Sequence, residues 1–166
     1  KKKLVAKNCV PAENKLCIAF KNLDVIAWNA EIPTLYTAYA TLYKDGKEVM
    51  RHTRKSATEA DRLKMSVDRS ILKADGYDLA YIAVECLDAD DNLVSAATNQ
   101  LYIDIEGAGE LMGVDNGNPQ GGESLKGSKI KLYNGRALII VRTLRDIPGS
   151  IRVKVRGDGV GDVSMI

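Results

Sequence analysis

Apolar residues in this chain fall in short alternating runs, without a sustained helical period. Leu63, Met65 and Val67 alternate with Lys64, Ser66 and Asp68. Ile82, Val84 and Cys86 alternate with Tyr81, Ala83 and Glu85, and Leu101, Ile103 and Ile105 with Tyr102 and Asp104. Ile151, Val153 and Val155 alternate with Arg152 and Lys154 in the last clear run. A period of two is what a strand with one buried and one wet face requires. Ala137 to Val141 is apolar throughout, which predicts a central strand covered on both sides. Upstream, Leu4 to Ala6, Leu16 to Phe20 and Leu35 to Tyr43 are further strand-like runs, bounded by Pro11, Asn14, Asn22 and Pro33.

Turn chemistry separates these runs. Asp45-Gly46 is a two-residue hairpin signal that predicts a partner strand over Glu48 to Arg54. Ala74-Asp75-Gly76, Ala89 to Asn92, Asn134-Gly135 and Pro148-Gly149 mark later turns. Ser56 to Asp61 is polar and does not alternate, so a boundary falls there, dividing a segment 1–58 from a domain 59–166. Four or five strands precede that boundary, fewer than the roughly seven of a complete immunoglobulin-like sandwich. The reading is an all-β chain of immunoglobulin-like β-sandwich type, in two units of which the first is incomplete. The most distinctive stretch, Gly107 to Pro119, holds four glycines in eleven residues followed by Asn118-Pro119. Such a run demands positive φ or sharp turning, and predicts a long shaped loop between strands.

Composition narrows the function classes. The chain has 166 residues, 45% hydrophobic and 28% charged, with a net charge of +2 and both signs interspersed. No basic footprint for nucleic acid or anionic lipid stands out, and the lysines at positions 1 to 3 read as a solvated strand end or as a cut in a longer protein. There is no initiator Met, signal peptide or apolar span long enough to cross a membrane, so the chain reads as an excised piece or a mature segment. Cys9, Cys17 and Cys86 have no metal-like spacing; Cys17 and Cys86 sit among apolar neighbours like buried thiols, and a Cys9–Cys17 bridge is left open. With His52 as the single histidine, His-based metal sites and Ser-His or Cys-His catalysis drop out.

Four constellations bear on chemistry. Asp88, Asp90, Asp91 and Asn92 are oxygen-rich, but without the glycine and distal Glu of a calcium loop they read as a hairpin turn closed by side chain to backbone bonds. Glu110, Asp115 and Glu123 are the carboxylates from which a glycosidase pair would have to come, and that chemistry needs two of them about 5 to 10 Å apart across a cleft. Nothing in the pattern supplies such a cleft. Trp28 is the single tryptophan, and Tyr36, Tyr39, Tyr43, Tyr81 and Tyr102 lie in strand-like runs, so aromatic platforms for sugars are thin. The glycines precede no helix, which removes a phosphate cradle.

Several motifs carry a resemblance. Lys73-Ala74-Asp75-Gly76, Asp78 to Glu85, Gly113-Val114-Asp115-Asn116-Gly117-Asn118-Pro119, Glu123 to Lys126 and Tyr133-Asn134-Gly135-Arg136-Ala137-Leu138 are similar to the immunoglobulin-like C-terminal domain of glycoside hydrolase family 2 enzymes of the β-galactosidase type. The resemblance spans Leu63 to Gly157, with Gln120-Gly121-Gly122 and Leu125 as small departures. Trp28 to Tyr36 resembles a motif of the preceding sandwich domain of these enzymes. In that family the catalytic glutamates sit in a (β/α)8 barrel, so the resemblance implies a non-catalytic accessory region with no catalytic residue, cofactor or metal of its own. It implies the remaining domains of the parent glycosidase as partners, with an oligosaccharide as a further one, neither nucleic acid nor membrane, and a secreted or periplasmic location. The alternative is a carbohydrate-binding or cell-surface adhesion module. Asp115, Asn116 and Glu123 are the candidate loop contacts to a substrate cleft; the competing reading is a self-supporting turn with Gly117 at positive φ.

Overall fold

The computed structural model describes Lys7 and residues 36–166. The sequence readings on Leu4 to Ala6, Cys9, Leu16 to Phe20, Cys17 and Trp28 to Leu35 lie outside the described residues. The chain divides into two compact units, Lys1–Ser56 and Ala57–Ile166.

In the first unit, β1 (Thr37–Lys44) and β2 (Lys47–Lys55) form an antiparallel hairpin with a register shift between Leu42 and Tyr43. Asp45 and Gly46 turn it with φ of 50° and 74°, the doubly positive turn whose twist matches the strands. Its base is closed by Ser56, whose amide donates to the Tyr36 carbonyl at 2.9 Å while its hydroxyl accepts from the Tyr36 amide.

The second unit is a sandwich of two four-stranded antiparallel sheets. One contains β3 (Arg62–Val67), β4 (Leu79–Leu87), β8 (Arg136–Thr143) and β6 (Gly109–Asp115) in the order β3-β4-β8-β6. The other contains β10 (Gly161–Met165), β9 (Ile151–Gly157), β5 (Gln100–Gly107) and β7 (Lys129–Lys131) in the order β10-β9-β5-β7. The alternating runs define the core: Leu63, Ile82, Val84, Cys86, Ile139 and Val141 of the first sheet meet Leu101, Ile103, Ile130, Val153 and Val155 of the second. Cys86 is a free thiol buried in that core, and burial raises its pKa. No helix occurs among the described residues.

Two expectations need correction. Residues 107–119 are not one long loop, because Gly109–Asp115 is β6, an edge strand with a bulge between Leu111 and Gly113. Its glycines mark close approach and bulging at an edge, where the pleat tolerates them. Gly107 has φ 95°, and a Cβ there would lie 2.2 Å from the Ser150 carbonyl oxygen, so only glycine lets the chain cross from one sheet to the other at this point. The second correction concerns β8. It is central in its sheet, paired with β4 and β6, but it alternates buried and half-buried residues. Among the described residues its outer face carries side-chain pairs such as Arg142–Glu110. The weakly alternating β7 and β10 escaped the pattern because one has three residues and the other begins with Gly161-Asp162.

The registers place the loops at two ends. Arg62 opposite Leu87, Arg136 opposite Glu85 and Gly157 opposite Leu101 define the end where the chain enters at Ala57, the inlet end. Val67 opposite Ile82, Leu79 opposite Arg142, Gly109 opposite Thr143 and Gly107 opposite Ile151 define the far end.

Candidate functional site

The residues from Asp115 to Lys131 leave β6 at the inlet end and are held there by their own side chains. Asp115 Oδ1 accepts from the Gly117 amide at 2.8 Å, Asn116 Oδ1 from the Asn118 amide at 3.0 Å, and Asn118 Oδ1 from the Gln120 amide at 3.0 Å. Three short polar side chains in succession thus cap the turn two residues ahead of each. Gly117 adopts φ 72° in open space. Asn116 Nδ2 donates to the Lys131 carbonyl at 3.0 Å and to Glu123 Oε2 at 3.3 Å, and that same carboxylate oxygen accepts from the Lys131 amide. The Val114 amide donates to the Leu125 carbonyl at 2.8 Å, which draws the returning strand of the loop onto β6.

Asp115, Asn116 and Glu123 therefore come together on one shallow depression of ≈ 360 Å³, whose lining also includes Gly117, Asn118 and Pro119. Glu110 does not join them. It pairs with Arg142 at 2.7 Å on the outer face of the sheet. Five positions along a strand separate it from Asp115, about 16 Å at the usual rise. That exceeds the span a glycosidase pair uses. The remaining two carboxylates of the trio each hold backbone or amide donors.

Asp88, at the same end, is fully buried. Its carboxylate oxygens face donors: the amides of Thr58, Asp90 and Asn92, the Thr58 hydroxyl and the Asn92 side-chain amide. An acid ringed by N–H groups is a turn closure, and here it also fastens the start of the unit at Thr58 to the turn after β4. Burial opposes its ionised form, but the Thr58 amide, the Asn92 side chain and the amides of Asn92 and Asp90 outweigh burial and hold the carboxyl well below the usual carboxylate range.

Aromatic rings are exposed in three places on this unit, at Tyr77, Tyr81 and Tyr102. The guanidinium of Arg156 lies 4.1 Å from the centre of the Tyr102 ring, and that of Arg145 lies 5.0 Å from the centre of the Tyr77 ring. Pattern reading missed these stacks, because each joins residues more than fifty positions apart. The one sequence hint at the far end is an apolar Ile71 stranded beside a polar turn.

The glycoside hydrolase family 2 C-terminal domain 5 matches residues 63–165, from β3 through β10. The chain belongs to this family. A β-galactosidase of Bacteroides ovatus, BoGH2A, is 32% identical over 142 residues, which take up 84% of this chain and 16% of that protein. A β-galactosidase of Thermoanaerobacter pseudethanolicus is 30% identical over 122 residues, 74% of this chain and 14% of its own length. The crystal structure of a glycosyl hydrolase family 2 member from Bacteroides cellulosilyticus superposes with a TM-score of 0.72 at 31% identity, covering 78% of this chain and 18% of that one. This family 2 chain thus spans a small part of the length of the relatives it matches. The 142-residue alignment is longer than the sandwich, so part of the segment before residue 63 aligns as well.

Proposed function

We propose that this chain is a non-catalytic accessory region of a β-galactosidase-like family 2 enzyme acting in carbohydrate metabolism, where it supports domain packing or oligomer assembly. The reading places the parent outside the cytoplasm, secreted or periplasmic, and gives the chain the remaining domains of that parent as partners. The observation that carries it is the family match over a whole sandwich in which Glu110 is paired with Arg142 on the outer face, while Asp115 and Glu123, which share one shallow depression, each accept from a backbone amide. A site that performs acid–base chemistry instead leaves two carboxylates free to face the substrate across a cleft. A carbohydrate-binding or adhesion module is the competing reading. It asks for open aromatic faces, whereas Tyr77 and Tyr102 each carry a guanidinium on one face.

Aryl-galactoside turnover tests the proposal. The longer polypeptide that carries this chain is expected to hydrolyse the substrate and the 166-residue chain is not; turnover by the chain alone that vanishes in a carboxylate variant would overturn it. The same assay decides the inlet loop. For a self-supporting turn, Asp115→Ala and Glu123→Ala leave KM of the longer enzyme unchanged, and a several-fold rise in KM with the melting of the chain unaltered assigns Asp115, Asn116 and Glu123 to a substrate cleft instead.

A further inference from the structure

The far end of the sandwich exposes large apolar side chains on a rigid frame. Ile71 is 87% exposed, Tyr77 71% and Ile147 51%, on two neighbouring loops, 68–78 and 144–150. These loops are joined by the Asp146 amide, which donates to the Ala74 carbonyl at 2.9 Å, and by the Thr143 amide, which donates to the Asp78 carbonyl at 3.1 Å. Within the first loop, Asp75 Oδ1 accepts from the amides of Tyr77 and Asp78, and the Asp78 carboxylate accepts from the Lys73 amide and from Arg69, each within 3 Å. The backbone is thereby fixed while the apolar side chains point into solvent. A soluble sandwich gains nothing from presenting Ile71 and Tyr77 in this way, whereas an interface gains a contact whose ordering is already complete.

The charges at this end are asymmetric. Asp75 and Asp78 are turned onto backbone amides, and the backbone bonds to Tyr77 and to Lys73 respectively lead in lowering their pKa values. The Arg145 guanidinium lies against Tyr77 and forms no ion pair among the described residues, nor does the Lys73 ammonium; Asp146 is the one acid left beside them. A stacked Tyr–Arg pair on loops that also carry two exposed isoleucines has the composition of an interface anchor. Its complement is an apolar protein surface bearing carboxylates. The chain enters this unit at the opposite end, where Asp88 fastens Thr58.

We infer that Ile71, Tyr77, Arg145 and Ile147 form the docking surface for another folded domain of the same polypeptide, one that presents an apolar patch with a carboxylate opposite Arg145. This rests on the accessory reading for the existence of further domains, whose presence is supported by relatives of which the matched part of this chain covers 16% and 14%.

Hydrogen–deuterium exchange tests it, comparing residues 69–78 and 143–149 in the 166-residue chain with the same residues in the longer polypeptide. Exchange is expected to be at least about tenfold slower in the longer polypeptide. The double variant Ile71→Asp with Ile147→Asp should abolish that difference while the strand 137–141 keeps its protection, which shows that the sandwich still folds. Equal exchange in both proteins, or a polypeptide that has no further domains, overturns the inference. So does protection in the 166-residue chain that grows with its concentration, because a second copy would then occupy the surface. Galactoside turnover reports separately on the accessory reading: protection without turnover removes the enzyme and keeps the docking, and turnover without protection does the reverse.

Discussion

The two ends of one sandwich solve opposite problems with the same residue type. At the inlet end Asp88 is buried and its carboxylate gathers amides from two segments, Thr58 and the turn that holds Asp90 and Asn92. At the far end Asp75 and Asp78 are on the surface and fix a loop that carries Ile71 and Tyr77 outward. An aspartate is short enough to mimic a backbone acceptor in either setting. Burial decides the consequence: at the inlet end the acid holds the unit together, and at the far end it shapes a surface that the unit itself does not use.

The largest effect expected is from Asp88→Ala. It leaves the amides of Thr58, Asp90 and Asn92 without their acceptor inside the protein, and should destabilise the chain by about 3 kcal/mol in denaturant titration. A loss under about 1 kcal/mol would show that water replaces the carboxylate and that this end is not a latch. The same residue predicts acid sensitivity. Its pKa is lowered on folding from an unfolded value of about 3.9, so its contribution is complete above that pH and is lost as pH falls toward the folded pKa. In Asp88→Asn the stability curve should be flatter below about pH 4 than in the wild type; superimposable acid limbs would contradict the assignment.

Gly107→Ala ranks next. A methyl group 2.2 Å from the Ser150 oxygen, added to a residue at φ 95°, should lower stability by about 2 kcal/mol through the crossing between sheets at the far end. Gly117→Ala, with φ 72° but nothing within 4 Å, isolates the backbone effect and is expected to lower stability by about 1 kcal/mol. If the two alanines proved equal, steric closeness would not be what distinguishes the crossing from the loop. The smallest effect belongs to Ile71→Asp, which should change the melting of the 166-residue chain by no more than about 0.5 kcal/mol. A larger loss would mean that Ile71 supports the sandwich from within and is not held for a partner.

Much of the sandwich was legible because period two is a local property. The runs 63–67, 82–86, 101–105 and 151–155 each became a strand, and Asp45-Gly46 and Asn134-Gly135 became turns with both residues at positive φ. Residues 109–115 misled because an edge strand tolerates glycines that a central strand would not, and nothing local marks a strand as an edge. The family motif 113–119 was legible as a motif, yet whether its carboxylates converge was not. Asp115 and Glu123 do meet on one depression, whereas Glu110, as close in sequence to Asp115 as many paired residues are, faces Arg142 elsewhere.

The sequence by itself determined an all-β chain with its alternating core positions, its turns and its family, since hydrophobic period and turn chemistry are written residue by residue. Only the tertiary structure decided which strands share a sheet, that Asp88 would be sealed among donors from Thr58 to Asn92, and that Arg145 would lie on Tyr77 on loops that also expose two isoleucines. These depend on residues far apart in the chain meeting at one end of a sandwich. Burial and charge environment are set by that meeting, and no window along the sequence contains it.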